Sequence, residues 1–81
     1  MKLPRDVSGA QLVKALGALG YRVTRQSGSH IRLTCEHPQQ HHVTIPNHDS
    51  LRLGTLSGVL NDVAAHHGLN REALLERLFG R

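Results

Sequence analysis

The sequence predicts an α+β fold in which helices pack on one face of a small antiparallel sheet. An apolar pattern with the helical period lies near the N-terminus, three short alternating stretches follow, and a second helical pattern comes after them. The connections between the alternating stretches are short, which favours an antiparallel meander. We therefore expect the order α-β-β-β-α, with a short C-terminal helix, in a single domain spanning all 81 residues.

The first helix is predicted from its start signal, its apolar face and its stop signal. After a lead-in of residues 1–7, Ser8 and Gln11 have the spacing of a capping box, in which each side chain bonds the other residue's amide. Gly20 stands where a left-handed residue usually ends a helix. The apolar face between these signals comprises Leu12, Leu16 and Leu19.

Three strands are predicted between residues 21 and 45. Residues 21–25 form a half-buried strand, residues 26–29 turn the chain, and residues 30–35 form a second strand. A polar loop over residues 36–41 leads to a third strand at residues 42–45. The side chains facing the helices are Ile31, Leu33, Cys35, Val43 and Ile45, and the polar opposite face carries Arg22, Thr24, Arg32, Thr34, His42 and Thr44.

The remaining chain reads as two helices. Apolar spacing predicts one helix from about Thr55 to His67, closed by Gly68. Asn70 caps a short third helix, whose apolar residues are Leu74, Leu75 and Leu78. We expect a core over about residues 8–68 and a helical extension over residues 69–81, which either contacts a partner or packs on the domain.

The charge and composition of the chain favour some kinds of partner over others. Ten Lys and Arg residues against six Asp and Glu give a net charge of +4, which suits a polyanionic or acidic partner. With a single Tyr, a single Phe and no Trp, base stacking on an aromatic platform is not expected. The lone Cys35 is predicted to be a core residue in a reducing compartment, and no apolar run is long enough for a membrane span. A cytoplasmic protein without membrane contact is expected.

The meander predicts where the functional residues meet. Because the second and third strands run antiparallel, His30 at the start of one should lie at the same sheet end as Pro46, Asn47 and His48 after the other. The second helix begins shortly beyond, so its amide-rich N-terminus and Arg52 should open toward that end.

This predicted end of the sheet could support RNA cleavage. RNA carries its own nucleophile, the 2′-hydroxyl, and histidine titrates near neutral pH, which makes His30 the candidate general acid or base. Gly28 would allow close approach of the backbone, and Ser29 could donate a hydrogen bond. His48 could be the complementary acid or base, a phosphate ligand or only a loop cap.

Each of these residues also has a simpler structural explanation. Gly28 could serve only the hairpin turn, and His30 and the neighbouring arginines could simply be solvated. His37, His41 and His42 are the obvious metal ligands, but a structural zinc site usually has four ligands and no second cysteine exists. We therefore predict no metal and no other cofactor. The histidines of this segment are expected to lie in a solvated loop. His66 and His67 would be cationic residues favoured at a helix C-terminus.

Three motifs taken together resemble those of a known family. Residues 28–30 (Gly-Ser-His), residues 43–48 (Val-Thr-Ile-Pro-Asn-His) and residues 54–56 (Gly-Thr-Leu) are similar, in order and spacing, to the HicA toxins of type II toxin–antitoxin systems. The resemblance covers roughly residues 8–68. It departs from the family at residues 49–53, which lack the lysines common there.

The resemblance implies a fold like that of double-stranded-RNA-binding domains and a metal-independent endoribonuclease that cleaves mRNA. It also implies inhibition by a HicB-like antitoxin, with DNA contacted only indirectly through that antitoxin. The family's active histidine falls on His30, after the turn at Gly28 and Ser29, and its second histidine falls on His48. The expected substrate-binding residues are Gly28, Ser29, Arg25, Arg32, His48, Arg52 and Thr55. The alternative is a non-catalytic RNA-binding or protein-interaction module of the same fold.

Overall fold

A computed structural model describes residues 3–80, so Met1 and Lys2 of the predicted lead-in and Arg81 of the predicted extension lie outside the described residues. The element order confirms the predicted α+β pattern. The elements are α1 (Gly9–Leu16, continued by a 3-10 turn at Gly17–Leu19), β1 (Arg22–Ser27), β2 (His30–Cys35), β3 (His41–Pro46), α2 (Leu53–His67) and α3 (Arg71–Phe79).

The predicted start and stop signals of α1 are confirmed. The Gln11 backbone amide donates to Ser8 Oγ at 3.0 Å, and the Ser8 amide donates to Gln11 Oε1 at 2.8 Å. After Leu16 the helix tightens into the 3-10 turn, and Gly20 ends it with a φ of 88°. This left-handed conformation is one that glycine adopts without steric cost.

The three strands form one antiparallel sheet in the order β1-β2-β3. The prediction that the first strand is half buried is wrong, because every residue of β1 is exposed and Val23 keeps 49% of its surface. β1 is an edge strand, and its register with β2 shifts between Val23 and Arg25. The apolar anchor of this segment is instead Tyr21, which is buried just before the strand begins.

Several boundaries differ from the predicted ones. β1 extends to Ser27, so the hairpin turn contains only Gly28, with a φ of 58°, and Ser29. A positive φ at the first of two turn residues matches the hairpin geometry that favours glycine there. β3 begins at His41, which was predicted to lie in the loop, and α2 begins at Leu53 rather than near Thr55.

One hydrophobic core joins the helices to the inner face of β2 and β3. Its fully buried members are Leu12, Leu16, Leu33, Cys35, Ile45, Leu56, Leu60, Val63, Leu74 and Leu75. Leu74 and Leu75 belong to α3, so the last helix completes the core rather than extending beyond it. Arg71 fixes the start of α3 to α2, because its Nη2 donates to Ser57 Oγ at 2.6 Å and to Asn61 Oδ1 at 2.7 Å.

Within residues 3–80, the helices are too short or too polar for any of them to cross a membrane.

Candidate active site

The predicted meeting point at one end of the sheet is confirmed by the backbone. His30 pairs with Pro46 in the β2–β3 register, and the Asn47 amide continues the ladder by donating to the Ser29 carbonyl at 2.6 Å. His48 follows directly, and its carbonyl accepts a hydrogen bond from the Gly9 amide at 2.9 Å. The hairpin turn, the corner after β3 and the start of α1 are therefore held together by main-chain hydrogen bonds.

His30 is presented to solvent at this end. Its neighbour Ile31 is buried against the helices, so the alternation of the strand places His30 on the opposite face of the sheet. The imidazole is exposed and makes no hydrogen bond or ion pair with any other residue in the 3–80 range. A substrate could therefore reach both ring nitrogens without displacing a protein contact.

Two arginines lie beside His30 on the same open face. The register shift in β1 makes Arg25 the cross-strand neighbour of Arg32. Arg32 lies two residues after His30 in β2 and therefore on the same face of the sheet. Both line a shallow cleft of about 290 Å³. Arg22, farther along, is neutralised by Glu36 at 3.3 Å, whereas Arg25 and Arg32 have no carboxylate partner in the described chain. The positive charge nearest to His30 is thus available to an anion.

Three side chains of the predicted polar face form a chain of hydrogen bonds across the sheet. Thr34 is buried, with 3% of its surface exposed, because its hydroxyl is 2.8 Å from Thr24 Oγ1 and 2.8 Å from His42 Nδ1. His42 is exposed, as expected of a solvated histidine, and its ring is also held by this chain of hydrogen bonds. Thr34 is the one buried residue among the six predicted for this face, and the other five are exposed or partly exposed.

The other predicted site residues lie near the start of α2. His48, Arg52 and Thr55 are all exposed, and Arg52 is the N-cap residue of α2. The C-terminus of α2 contacts Cys35 at the far end of the sheet through His67, so the helix starts toward the His30 end. No hydrogen bond joins these three side chains to the hairpin turn among residues 3–80.

A second group of polar side chains lies at the opposite end of the sheet, and the sequence did not predict it. We call Tyr21, Cys35, His41, His66 and His67 the distal cluster. The Tyr21 hydroxyl is 2.6 Å from His41 Nδ1 and 3.1 Å from His67 Nε2. The rings of His41 and His66 stack with centroids 4.2 Å apart. The prediction of a solvated loop is therefore wrong for His41, because the ring packs against α2.

Burial sets the electrostatics of the distal cluster. Desolvation raises the pKa of the Tyr21 hydroxyl far above its ordinary value, and the neighbouring Cys35 adds to this. Desolvation also lowers the pKa of His67, with smaller contributions from His66 and His41. The prediction that His67 is a cationic residue at the helix C-terminus is not supported, because desolvation and the neighbouring histidines both favour its neutral form.

A helix, three antiparallel strands in an open sheet and two further helices make an α+β fold of the class that resembles double-stranded-RNA-binding domains. The family model for the HicA toxin of bacterial toxin–antitoxin systems matches residues 9–64, and the chain belongs to this family. It is therefore a toxin of a toxin–antitoxin system. No curated protein and no solved structure matched significantly.

Proposed function

We propose that this toxin is a metal-independent endoribonuclease that cleaves mRNA in the cytoplasm, with His30 as the general acid or base. The observation that carries the proposal is the position of His30. Its exposed imidazole follows a two-residue turn and lies beside Arg25 and Arg32, and none of the three side chains forms an ion pair with another of residues 3–80. The chain also belongs to the HicA family. Such a site offers proton transfer and phosphate binding on one open surface.

The chemistry needs only the substrate's own hydroxyl as the nucleophile. His30 as the base takes the proton of the 2′-hydroxyl, and the 2′-oxygen attacks the adjacent phosphorus. The bond from phosphorus to the 5′-oxygen breaks, and that oxygen takes up a proton. The products are a 2′,3′-cyclic phosphate and a free 5′-hydroxyl. His48, held at the same end by its backbone, is the candidate acid for the leaving oxygen.

The charge that develops on the phosphate oxygens would be met by Arg25 and Arg32. A guanidinium is a planar donor that can bind two phosphate oxygens at once. Gly28 leaves space above the turn because it has no side chain, and the Ser29 hydroxyl is exposed beside it. Arg52 and Thr55 would extend the contact along the RNA strand near the start of α2.

A toxin of a toxin–antitoxin system has an inhibitory partner, and the exposed His30 end is the surface that such a partner would cover. We propose that a HicB-like antitoxin covers the His30 end of the sheet and so excludes RNA from it. Contact with DNA would be indirect, through a DNA-binding segment of the antitoxin. The net charge of +4 suits an acidic inhibitory surface as well as RNA.

Expression of the chain in a bacterial host tests the proposal. Expression alone should arrest growth and shorten mRNA lifetimes, and co-expression of a HicB-like protein should restore growth. His30→Ala should abolish the arrest. His37→Ala is the matched control, since His37 is also an exposed histidine but lies in the β2–β3 loop at the other end of the sheet. The control variant should remain toxic.

The outcomes separate the proposal from its alternative. A folded His30→Ala variant that still arrests growth and degrades mRNA would remove His30 from the mechanism. A wild-type chain that binds RNA with strong salt dependence but never cuts it would be a non-catalytic RNA-binding module instead.

A further inference from the structure

A thiol and two imidazoles converge within the distal cluster, although they come from three different elements. Cys35 ends β2, His41 begins β3 directly across from it in the register, and His66 lies in the last turn of α2. The sulfur and one nitrogen from each ring all lie within 4.8 Å of one another. Thiolate and imidazole are the ligands that zinc and similar divalent ions prefer.

Hydrogen bonds already fix which nitrogen of each ring is free to bind a metal. His41 Nε2 is 3.3 Å from the Asp62 carboxylate, and His66 Nε2 is 2.8 Å from the Gln39 carbonyl oxygen. Both oxygens can only accept, so each Nε2 carries the proton, and a neutral ring then has a bare lone pair on Nδ1. Metal-binding histidines are typically oriented in this way, with the other ring N–H donated to a carboxylate or carbonyl.

We propose that Cys35 Sγ, His41 Nδ1 and His66 Nδ1 bind one divalent ion of the zinc class, with water at the fourth position. Three protein ligands and one water form an open zinc site. Zinc bonds of about 2.0–2.3 Å place tetrahedral ligand atoms roughly 3.3–3.6 Å apart. To close the set, the donor atoms would have to move together by about 1 Å, and the stacked rings of His41 and His66 would have to tilt so that both lone pairs point at the ion.

The Tyr21 hydroxyl is the group that the ion must displace. It now lies 2.6 Å from His41 Nδ1, and it is also 3.1 Å from His67 Nε2. When the ion takes the His41 lone pair, Tyr21 keeps its contact with His67 and can turn toward the metal-bound water. The thiol proton, which now points toward the His37 carbonyl at 3.5 Å, is released to solvent on binding.

The ion would tie β2 and β3 to the end of α2. Because this site lies at the sheet end opposite His30, it should change the stability of the fold and not the chemistry of the active site. The experiment therefore measures metal binding and unfolding, and neither readout depends on whether the chain cleaves RNA.

The untagged full-length chain, stripped of metal with EDTA, is titrated with Co²⁺ and then with Zn²⁺. One equivalent of Co²⁺ should produce a near-ultraviolet thiolate-to-cobalt charge-transfer band, and Zn²⁺ should displace it. Zinc at ~100 times its Kd should raise Tm by on the order of 10 °C. The absence of both the band and the shift would overturn the proposal.

Two variants and a control locate the site. Cys35→Ala should remove the charge-transfer band, and His66→Gln should weaken Co²⁺ binding at least 10-fold, as loss of a ligand does. His37→Gln changes an exposed loop histidine nearby and should bind like the wild type. If Cys35→Ala fails to fold, His66→Gln decides alone. Unchanged binding by the His66 variant, or loss of binding only in the His37 variant, would contradict the assigned ligands.

Discussion

The N-terminus of α1 packs backbone to backbone against the corner that carries His48. The Gly9 amide donates to the His48 carbonyl at 2.9 Å, and the same corner bonds the hairpin turn through Asn47. A methyl group at Gly9 would overlap the Pro46 carbonyl oxygen and would lie 3.1 Å from Asn47 Cα. Gly9→Ala should therefore push α1 away from this corner.

The size of the effect follows from what the methyl group meets. Its neighbours are backbone atoms that cannot rotate aside, and overpacking of this kind typically costs about 1–3 kcal/mol. Loss of the Gly9–His48 hydrogen bond adds about 1 kcal/mol. The free energy of unfolding should fall by about 2–4 kcal/mol, out of a total of roughly 5–15 kcal/mol for a domain. The corresponding fall in Tm is on the order of 10–20 °C.

Urea denaturation followed by circular dichroism measures this loss, with Gly58→Ala as the control. Gly58 lies inside α2, and apart from the adjacent backbone of that helix an added methyl group would meet no atom within 4 Å, so alanine there should stabilise the chain by about 0.5–1 kcal/mol. The two Gly→Ala changes should thus have opposite signs. If Gly9→Ala were as stable as the wild type, the inferred contact between α1 and the corner would be refuted.

Three further predictions test the packing and the RNA-binding face. Tyr21→Phe removes the hydroxyl that bonds the nitrogens of two partly buried histidines, so urea denaturation should show a loss of about 1–2 kcal/mol; an unchanged midpoint would contradict the hydrogen bonds of the distal cluster. Leu75→Ala should cost about 2–5 kcal/mol in the same assay, because the side chain is fully buried; a loss below about 1 kcal/mol would argue that α3 is not part of the core. Arg25→Ala and Arg32→Ala, made in a His30→Ala chain so that RNA stays intact, should each reduce the slope of log affinity against log salt by about 0.7 in filter-binding assays; an unchanged slope would mean that neither arginine contacts phosphate.

Local signals in the sequence were enough to predict the three helices, the start of α1 and the glycines that close the first two helices, but not the start of α2. The capping pair Ser8 and Gln11 acts through hydrogen bonds between side chains and amides three residues apart, and the glycines at positions 20 and 68 act through their own backbone conformation. Alternation likewise predicted the inner faces of β2 and β3. The position of His30 beside Pro46 followed from the antiparallel order of two neighbouring strands, which is also a nearly local property.

Edge effects and long-range partners could not be predicted in the same way. The alternation of β1 resembles that of a half-buried strand, and only the tertiary arrangement shows that helices do not cover Val23. The apolar face of α3 would look the same whether it met a partner protein or the domain's own core. Its burial at Leu74 and Leu75 became evident only with the structure.

The distal cluster was missed for a related reason. His41 was assigned to a loop, whereas β3 starts one residue earlier than predicted and includes it. Its partners Asp62 and His66 are on α2, and no spacing rule links a strand residue to a helix that follows a six-residue connection. The one available signal was the combination of His66 and His67 at the end of a helix that must return along the sheet.

The most direct test of the account is the rate at which purified wild-type and His30→Ala chains cleave the same RNA in the presence of EDTA. The account predicts that the wild type leaves 2′,3′-cyclic phosphate ends and that the variant, with an unchanged circular dichroism spectrum, is slower by about 10²–10⁴-fold. Equal rates for the two folded chains would contradict the role assigned to His30.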